Sequence, residues 1–457
     1  MPFPPMQESH REAADGFSHS PERLQDLTQT VLQYASQRGA SACETEISEG
    51  FGQSVTVRKS EVETIEYHRD KNLSVTVYLG QRRGHASTSD ISLKAIQDTV
   101  DAALAIARHT AADPFSGLPD AELLARELPE LDLFHPWDLP VEQAIELAQR
   151  CEHSGLGADA RISNSDGASV SNHQSQFVLA NSLGFSGGFC ASRHSLSCSM
   201  IAGRDDDMQR DDWYAVARAA SDLESAEDIG RQAGWRAARR TQSRKIATVQ
   251  VQVLFEAPIA SSLLGHFVSA VSGGSLYRKA SFLLDSLGKQ LFPASIQIHD
   301  LPHLRRGLAS GPFDDEGVAT QSRHIIRDGV LQGYFLGSYS ARKLSMRSTG
   351  NAGGNHNLII DSTGEDFPTL LKKMGSGFLV TELLGHGINA VTGDYSRGAA
   401  GFWVEGGEIA YPVHEVTIAG NLKDMFMGIV AVGTDRLARS SRQCGSILID
   451  RMTVAGD

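Results

Sequence analysis

Glycine is spread unevenly along this chain, and the unevenness constrains the fold more than any other feature. Of 44 glycines, 28 fall in residues 245–457, less than half of the 457. Short apolar stretches there alternate with turns, a pattern that demands many tight turns and close backbone approaches. It predicts a Gly-rich, β-rich C-terminal domain. No short-period repeat and no low-complexity tract accompanies it.

Upstream the pattern is mixed. Residues 1–19 are polar with several prolines and read as a disordered tail. Ser20 and Pro21 suit the N-cap and first position of a helix. Leu24, Leu27, Val31 and Ala35 mark its buried face, and Gly39 suits its C-terminal cap. Alternating stretches near 43–47, 54–58, 62–67 and 73–79 read as an antiparallel meander. Leu93, Ile96, Val100, Leu104 and Ala107 predict a second amphipathic helix.

These elements make an N-terminal α+β module over 20–112, followed by a linker over 113–133. A middle α+β module over 134–244 starts with a helix near 140–153. Two alternating segments, 167–179 and 185–200, are joined through the turn Asn181-Ser182-Leu183-Gly184. An Ala- and Arg-rich helix over 223–240 closes the module. The expected class is therefore α+β: helix and antiparallel-sheet modules, then the β-rich domain over 245–457.

The chain has 42 Lys and Arg against 55 Asp and Glu, a net charge of −13. That balance disfavours nucleic acid and anionic lipid as partners. The cysteines, Cys43, Cys151, Cys190, Cys198 and Cys444, form no CxxC pair and read as reduced thiols of a cytosolic protein. The N-terminus lacks a secretory pattern, and apolar runs such as 425–433 are too short to span a bilayer. A soluble cytoplasmic protein without membrane contact is expected.

Several motif matches fail on context. Gly184-Phe185-Ser186-Gly187-Gly188 fits G-x-S-x-G, but strand-like alternation follows it, so a hairpin turn is expected rather than an exposed nucleophile. His299 and His303 need a helix to share a metal, and Pro302 disfavours one. Asp205, Asp206, Asp207, Asp211 and Asp212 lack the spacing of a calcium loop and read as a solvated turn. No P-loop or dinucleotide fingerprint is present. Glycine clusters at Gly273-Gly274 and Gly353-Gly354, and the Gly393–Gly398 block with Asp394, Tyr395 and Arg397, admit two readings. One is turn chemistry; the other is a cleft whose backbone pairs with an extended peptide.

Longer strings carry a resemblance. Residues 273–289 (GGSLYRKASFLLDSLGK), 338–344 (SYSARKL), 392–405 (TGDYSRGAAGFWVE) and 418–425 (IAGNLKDM) resemble the TldE/PmbA branch of the TldD/PmbA metalloprotease family. The likeness spans essentially all of 245–457. It implies a heterodimer with a TldD-type metallopeptidase chain that degrades unfolded peptides. In that family the TldD-type chain carries a His-Glu-x-x-x-His helix and a later Cys-Gly cysteine as zinc ligands. The matching positions here are Ser261, Ser262 and His266, with Cys444 before Gly445.

Two of the ligand positions thus persist, and the glutamate base does not. Catalytic zinc needs three protein ligands with an open position, and hydrolysis needs a base. The expectation is a non-catalytic chain with no cofactor of its own and zinc in the TldD-type partner. His266 is then a hydrogen-bonded structural histidine and Cys444 a buried thiol. Gly273, Gly274, Gly353, Gly354, Asp394, Tyr395 and Arg397 are the peptide-cleft candidates. A homodimer in isolation follows from the homology of the two subunits. Rival readings are a stand-alone regulator of the gyrase-modulator type, after a label the family carries, and an independent peptidase using Ser186 or a shared metal.

Overall fold

The computed structural model describes residues 16–456. Residues 1–15, most of the tail read from the sequence, lie outside the described residues. Helix α1 (Pro21–Gln37) starts where Ser20 Oγ accepts from the Arg23 amide at 3.2 Å. Gly39, with φ +91°, lies just past its end. Strands β1 (Ala42–Arg58), β2 (Glu61–Leu79) and β3 (Arg82–Thr88) precede α2 (Leu93–His109), capped by Ser92. Then come α3 (Val141–Leu156), β4 (Ile162–Asn181), β5 (Ser186–Ala202), β6 (Gln209–Ala217) and α4 (Ala226–Arg239).

These strands form one antiparallel sheet in the order β3-β2-β1-β4-β5-β6. The first and middle modules are therefore joined edge to edge through β1 and β4. The four short alternating stretches expected upstream are two long strands. Gly50 and Gly52 do not break β1; a Cβ on Gly52 would lie 2.1 Å from the Asn172 carbonyl oxygen, so the glycine permits close strand approach. Cys43, Ile47, Val55 and Val57 share one face of β1. The first two pack with α1 and α2, the others with α3 and α4. The β4–β5 connection is a hairpin turn with Gly184 at φ +93°, and Ser186 opens β5, so no nucleophile elbow forms.

The C-terminal domain begins with β7 (Val249–Phe255), α5 (Ala257–Ala270) and α6 (Gly273–Tyr277). It continues through β8 (Ile298–Asp300), β9 (Arg323–Arg327), β10 (Val330–Leu331), α7 (Ser338–Lys343), β11 (Leu358–Ile360) and α8 (Phe367–Met374). Next are β12 (Gly377–Leu384), β13 (Asp394–Glu405), β14 (Glu408–Asn421) and α9 (Leu422–Met427). The last elements are β15 (Ile429–Val432), β16 (Arg442–Gln443) and β17 (Ile447–Ala455). One sheet runs β14-β13-β12-β7-β17-β15, and pairing of β14 with β17 closes it into a barrel. Val253 and Phe255 of β7 join α5 in the main core, while Leu254 packs with α8 on the other side.

All five cysteines are buried and free. Among the described residues no helix is long and apolar enough to cross a membrane.

Candidate functional site

Helix α5 carries Ser261, Ser262, Gly265 and His266 at one-, three- and four-residue steps, which bring them to one side of the helix. Ser261 and Ser262 face a cleft of about 620 Å³ between the N-terminal sheet unit and the barrel. One wall comes from β6 and α4, with Asp211, Trp213, Arg236 and Arg240. The opposite wall comes from β12, β13 and β16, with Thr381, Glu382, Arg397 and Arg442.

The first wall is a closed ion network. Arg236 reaches Asp211 at 3.0 Å and Glu256 at 2.8 Å. Arg239 reaches Glu256 at 3.1 Å, and Arg240 contacts Asp211 at 3.3 Å and also Glu382. Burial opposes the charge on Arg236, but Glu256 and Asp211 more than offset it and hold the guanidinium above its usual range. The network ties α4 and β6 to the start of α5 and to β12. The solvated turn read from the acidic run is corrected at Asp211, which is buried and paired; its partners lie 25 and 29 residues away, too far for local spacing to reveal. Trp213 fills the space beside it, with Arg439 Cζ 3.9 Å from the ring centre and Nε1 donating to Glu224.

The second wall, apart from Glu382, holds several polar groups without partners. Arg397 Nε, Thr381 Oγ1, His266 Nε2 and Tyr395 Oη are buried without a hydrogen-bond partner. Each such group costs about 1–3 kcal/mol when left unpaired. No carboxylate pairs with Arg397 or Arg442 among the described residues. Arg442 lies over Gly265, where an added Cβ would sit 3.3 Å from Nη1. Burial first, then the positive Arg397 and Arg442, push His266 down to about 4. Burial pushes the Tyr395 phenol up to about 12, with Arg397 opposing. The hydrogen-bonded His266 expected from sequence is therefore corrected at Nε2: its neighbours are two cations and, at 6.0 Å between centroids, the ring of Tyr395.

Strand geometry opens the same wall. The β12–β13 register shifts between Val380 and Glu382, leaving Thr381 as a bulge. Strand β7 pairs with β12 only as far as Phe255 opposite Val380, while β12 runs on to Leu384. Among the described residues no strand pairs with Thr381, Glu382 and Leu383 on that side, and they line the cleft.

The structure thus brings Ser261, Ser262 and Arg397 together, with His266 and Tyr395 behind them. Cys444 follows β16 and sits in the main core; burial first, then the nearby Asp435, raise its thiol far above the usual range. Gly273, Gly274, Gly353, Gly354 and Asp394 do not line the cleft. Gly273 lies where a Cβ would meet Ser340 Oγ at 2.2 Å, and Gly353 and Gly354 take φ +93° and +116° in a turn. Asp394 is exposed and bonded to Thr392 and Asn421. His299 pairs with Asp361 and His303 with Thr320, on separate partners. Sequence reading missed Arg236, Arg240, Thr381 and Arg442. For the first two a signal existed: they stand four apart, Arg236 within α4 and Arg240 at its C-cap, on the helix that carries the buried Ala233 and Ala237.

Three PmbA/TldA metallopeptidase family models match in succession: domain 1 over residues 43–107, the central domain over 134–241 and the C-terminal domain over 248–456. The metalloprotease PmbA of Escherichia coli O157:H7 is 51% identical over 433 residues, 95% of this chain and 96% of that protein. A crystal structure from Bacteroides thetaiotaomicron, described as a modulator of DNA gyrase, superposes with a TM-score of 0.91 at 27% identity, covering 96% of this chain and 100% of that one. A metalloprotease TldD homolog of Haemophilus influenzae is a more distant relative, 21% identical over 78% of this chain and 77% of its own length. The chain belongs to the PmbA/TldD metallopeptidase family, on its PmbA/TldE branch.

Proposed function

We propose that this chain is the non-catalytic, peptide-guiding subunit of a two-chain zinc peptidase whose catalytic chain is TldD-type. The observation that carries the reading is the chemistry of the α5 cleft. Ser261 and Ser262 stand where the resemblance puts a zinc ligand and a base, and the Ser262 hydroxyl donates to the Ile259 carbonyl within the helix at 2.7 Å. Arg397 and Arg442 make the surroundings of His266 repel a cation. Among the described residues no group of three or more His, Cys, Asp or Glu side chains is placed to hold a metal. A zinc ion does not fit these residues.

What the cleft offers instead is binding. Beyond Val380 the side of β12 that β7 leaves uncovered could take an extended chain by strand addition, which suits unfolded peptide segments. Peptide held there would be presented to the partner's zinc. The existence of a distinct TldD homolog related along most of this chain supports a two-chain arrangement. In isolation the surface meant for that partner would pair two copies of this chain. The proposed setting is the cytoplasm, in keeping with five free buried thiols.

The test is cleavage of an unstructured fluorescent peptide by this chain, by a TldD-type chain and by their mixture, with and without chelator. Activity confined to the mixture and abolished by chelator is expected. Robust cleavage by this chain alone would overturn the proposal.

A further inference from the structure

We propose that the unpaired wall of the cleft is a carboxylate site that captures the free C-terminus of a peptide, with Arg397 and Arg442 as its anchors. This rests on the peptide-handling reading above and names the chemical group recognised. Guanidinium groups are planar forks of donors that match a carboxylate in two parallel hydrogen bonds. Here Arg397 Nε is buried without an acceptor, and Thr381 Oγ1, in the same cleft lining, is likewise without a partner. A carboxylate is acceptor-only, so a bound anion would supply the acceptor that this wall lacks.

The carboxylates already in the lining do not fill this role. Asp211 and Glu382 are engaged by Arg236 and Arg240 across the cleft. Asp212, the remaining acid in the lining, makes no ion pair with Arg397 or Arg442 among the described residues. The peptide source is favoured over a free inorganic anion by what surrounds the arginines. Trp213, Ile259 and Leu383 supply apolar lining for side chains, and the open backbone of β12 adjoins the same space. About 620 Å³ is far more than a lone anion needs and lies within the usual range for organic ligands.

The experiment uses the full-length chain and a short fluorescent peptide lacking acidic side chains, prepared with a free or an amidated C-terminus. Fluorescence anisotropy should show the free acid binding at least ~10-fold tighter, the scale of a single charge-assisted contact. Arg397→Gln and Arg442→Gln should each abolish the preference, whereas Arg38→Gln, at the end of α1, should retain it. Equal binding of acid and amide would overturn the proposal. So would inorganic phosphate binding as tightly as the free-acid peptide, since the site would then be a general anion site. If either glutamine variant fails to fold, the unmutated protein still decides: the acid peptide should shift the His266 ring resonances in NMR and raise its pKa, and no shift would refute the site. A loss of acid preference leaves the mixed-chain cleavage result standing. Preference without cleavage by the mixture would keep the carboxylate site and remove the peptidase-subunit role.

Discussion

On one side of the cleft Arg236, Arg239 and Arg240 each reach a carboxylate; on the other, Arg397 and Arg442 reach none. The first set is largely removed from water and the second only partly, and the same residue type serves different ends. Paired arginines brace the contact between the sheet unit and the barrel, because desolvation is offset by opposite charge at about 3 Å. Unpaired ones leave positive potential in a recess, an expense that folding alone does not explain and that an anionic ligand would relieve. Partner count, rather than residue identity, separates the structural wall from the binding wall.

The comparison breaks most visibly at Asp211. Asp211→Ala takes one of two carboxylate partners from Arg236, which keeps Glu256, and from Arg240, which keeps Glu382, and breaking a buried pair costs up to about 3–5 kcal/mol. Urea denaturation should show a loss of that size. A change below ~1 kcal/mol would mean that the first wall is no brace. Arg442→Gln removes a cation with no partner and should alter stability by less than ~1 kcal/mol in the same assay.

Metal uptake probes the second wall from another direction. Ser261→His with Ser262→Glu builds the missing ligand and base into α5, yet Arg397 and Arg442 still repel a cation there. Calorimetry should find weak zinc binding in the double variant, tightened at least ~10-fold when Arg442→Gln is added. If the double variant alone binds zinc tightly, the arginines do not shape this site.

These walls were unequally legible in the sequence. The helices α1 and α2 follow from local signals, Ser20 and Ser92 accepting backbone amides and apolar residues at helical spacing. The joining of β1 to β4 was not legible, since pairing between residues about 120 apart leaves no periodic trace. Ser261, Ser262 and Arg397 were found through resemblance and do meet in space. Arg442 and Thr381 were not found, because a single arginine after a turn and a threonine in an apolar strand look ordinary until β7 stops short of them. The glycine clusters drew attention by composition, but turn geometry and close packing account for Gly273, Gly353 and Gly354.

The smallest effect lies in pH. His266 titrates at about 4 in the folded chain against an ordinary value of 6.5. The unfolded chain therefore takes up a proton at a higher pH than the native one does. Its contribution to stability is complete above about 6.5 and is lost as pH falls toward about 4. The Arg397 and Arg442 charges add to burial in setting that window. Arg397→Gln or Arg442→Gln should raise the His266 pKa, read from its ring proton shifts, so that the acid loss still begins near 6.5 but is smaller and ends at a higher pH. Asp211→Ala, acting on the opposite wall, should leave the His266 titration nearly unchanged while costing far more stability. If instead the Asp211 variant moved His266 as much as the Arg442 variant did, the two walls would be one electrostatic unit, and the division between brace and binding surface would fail.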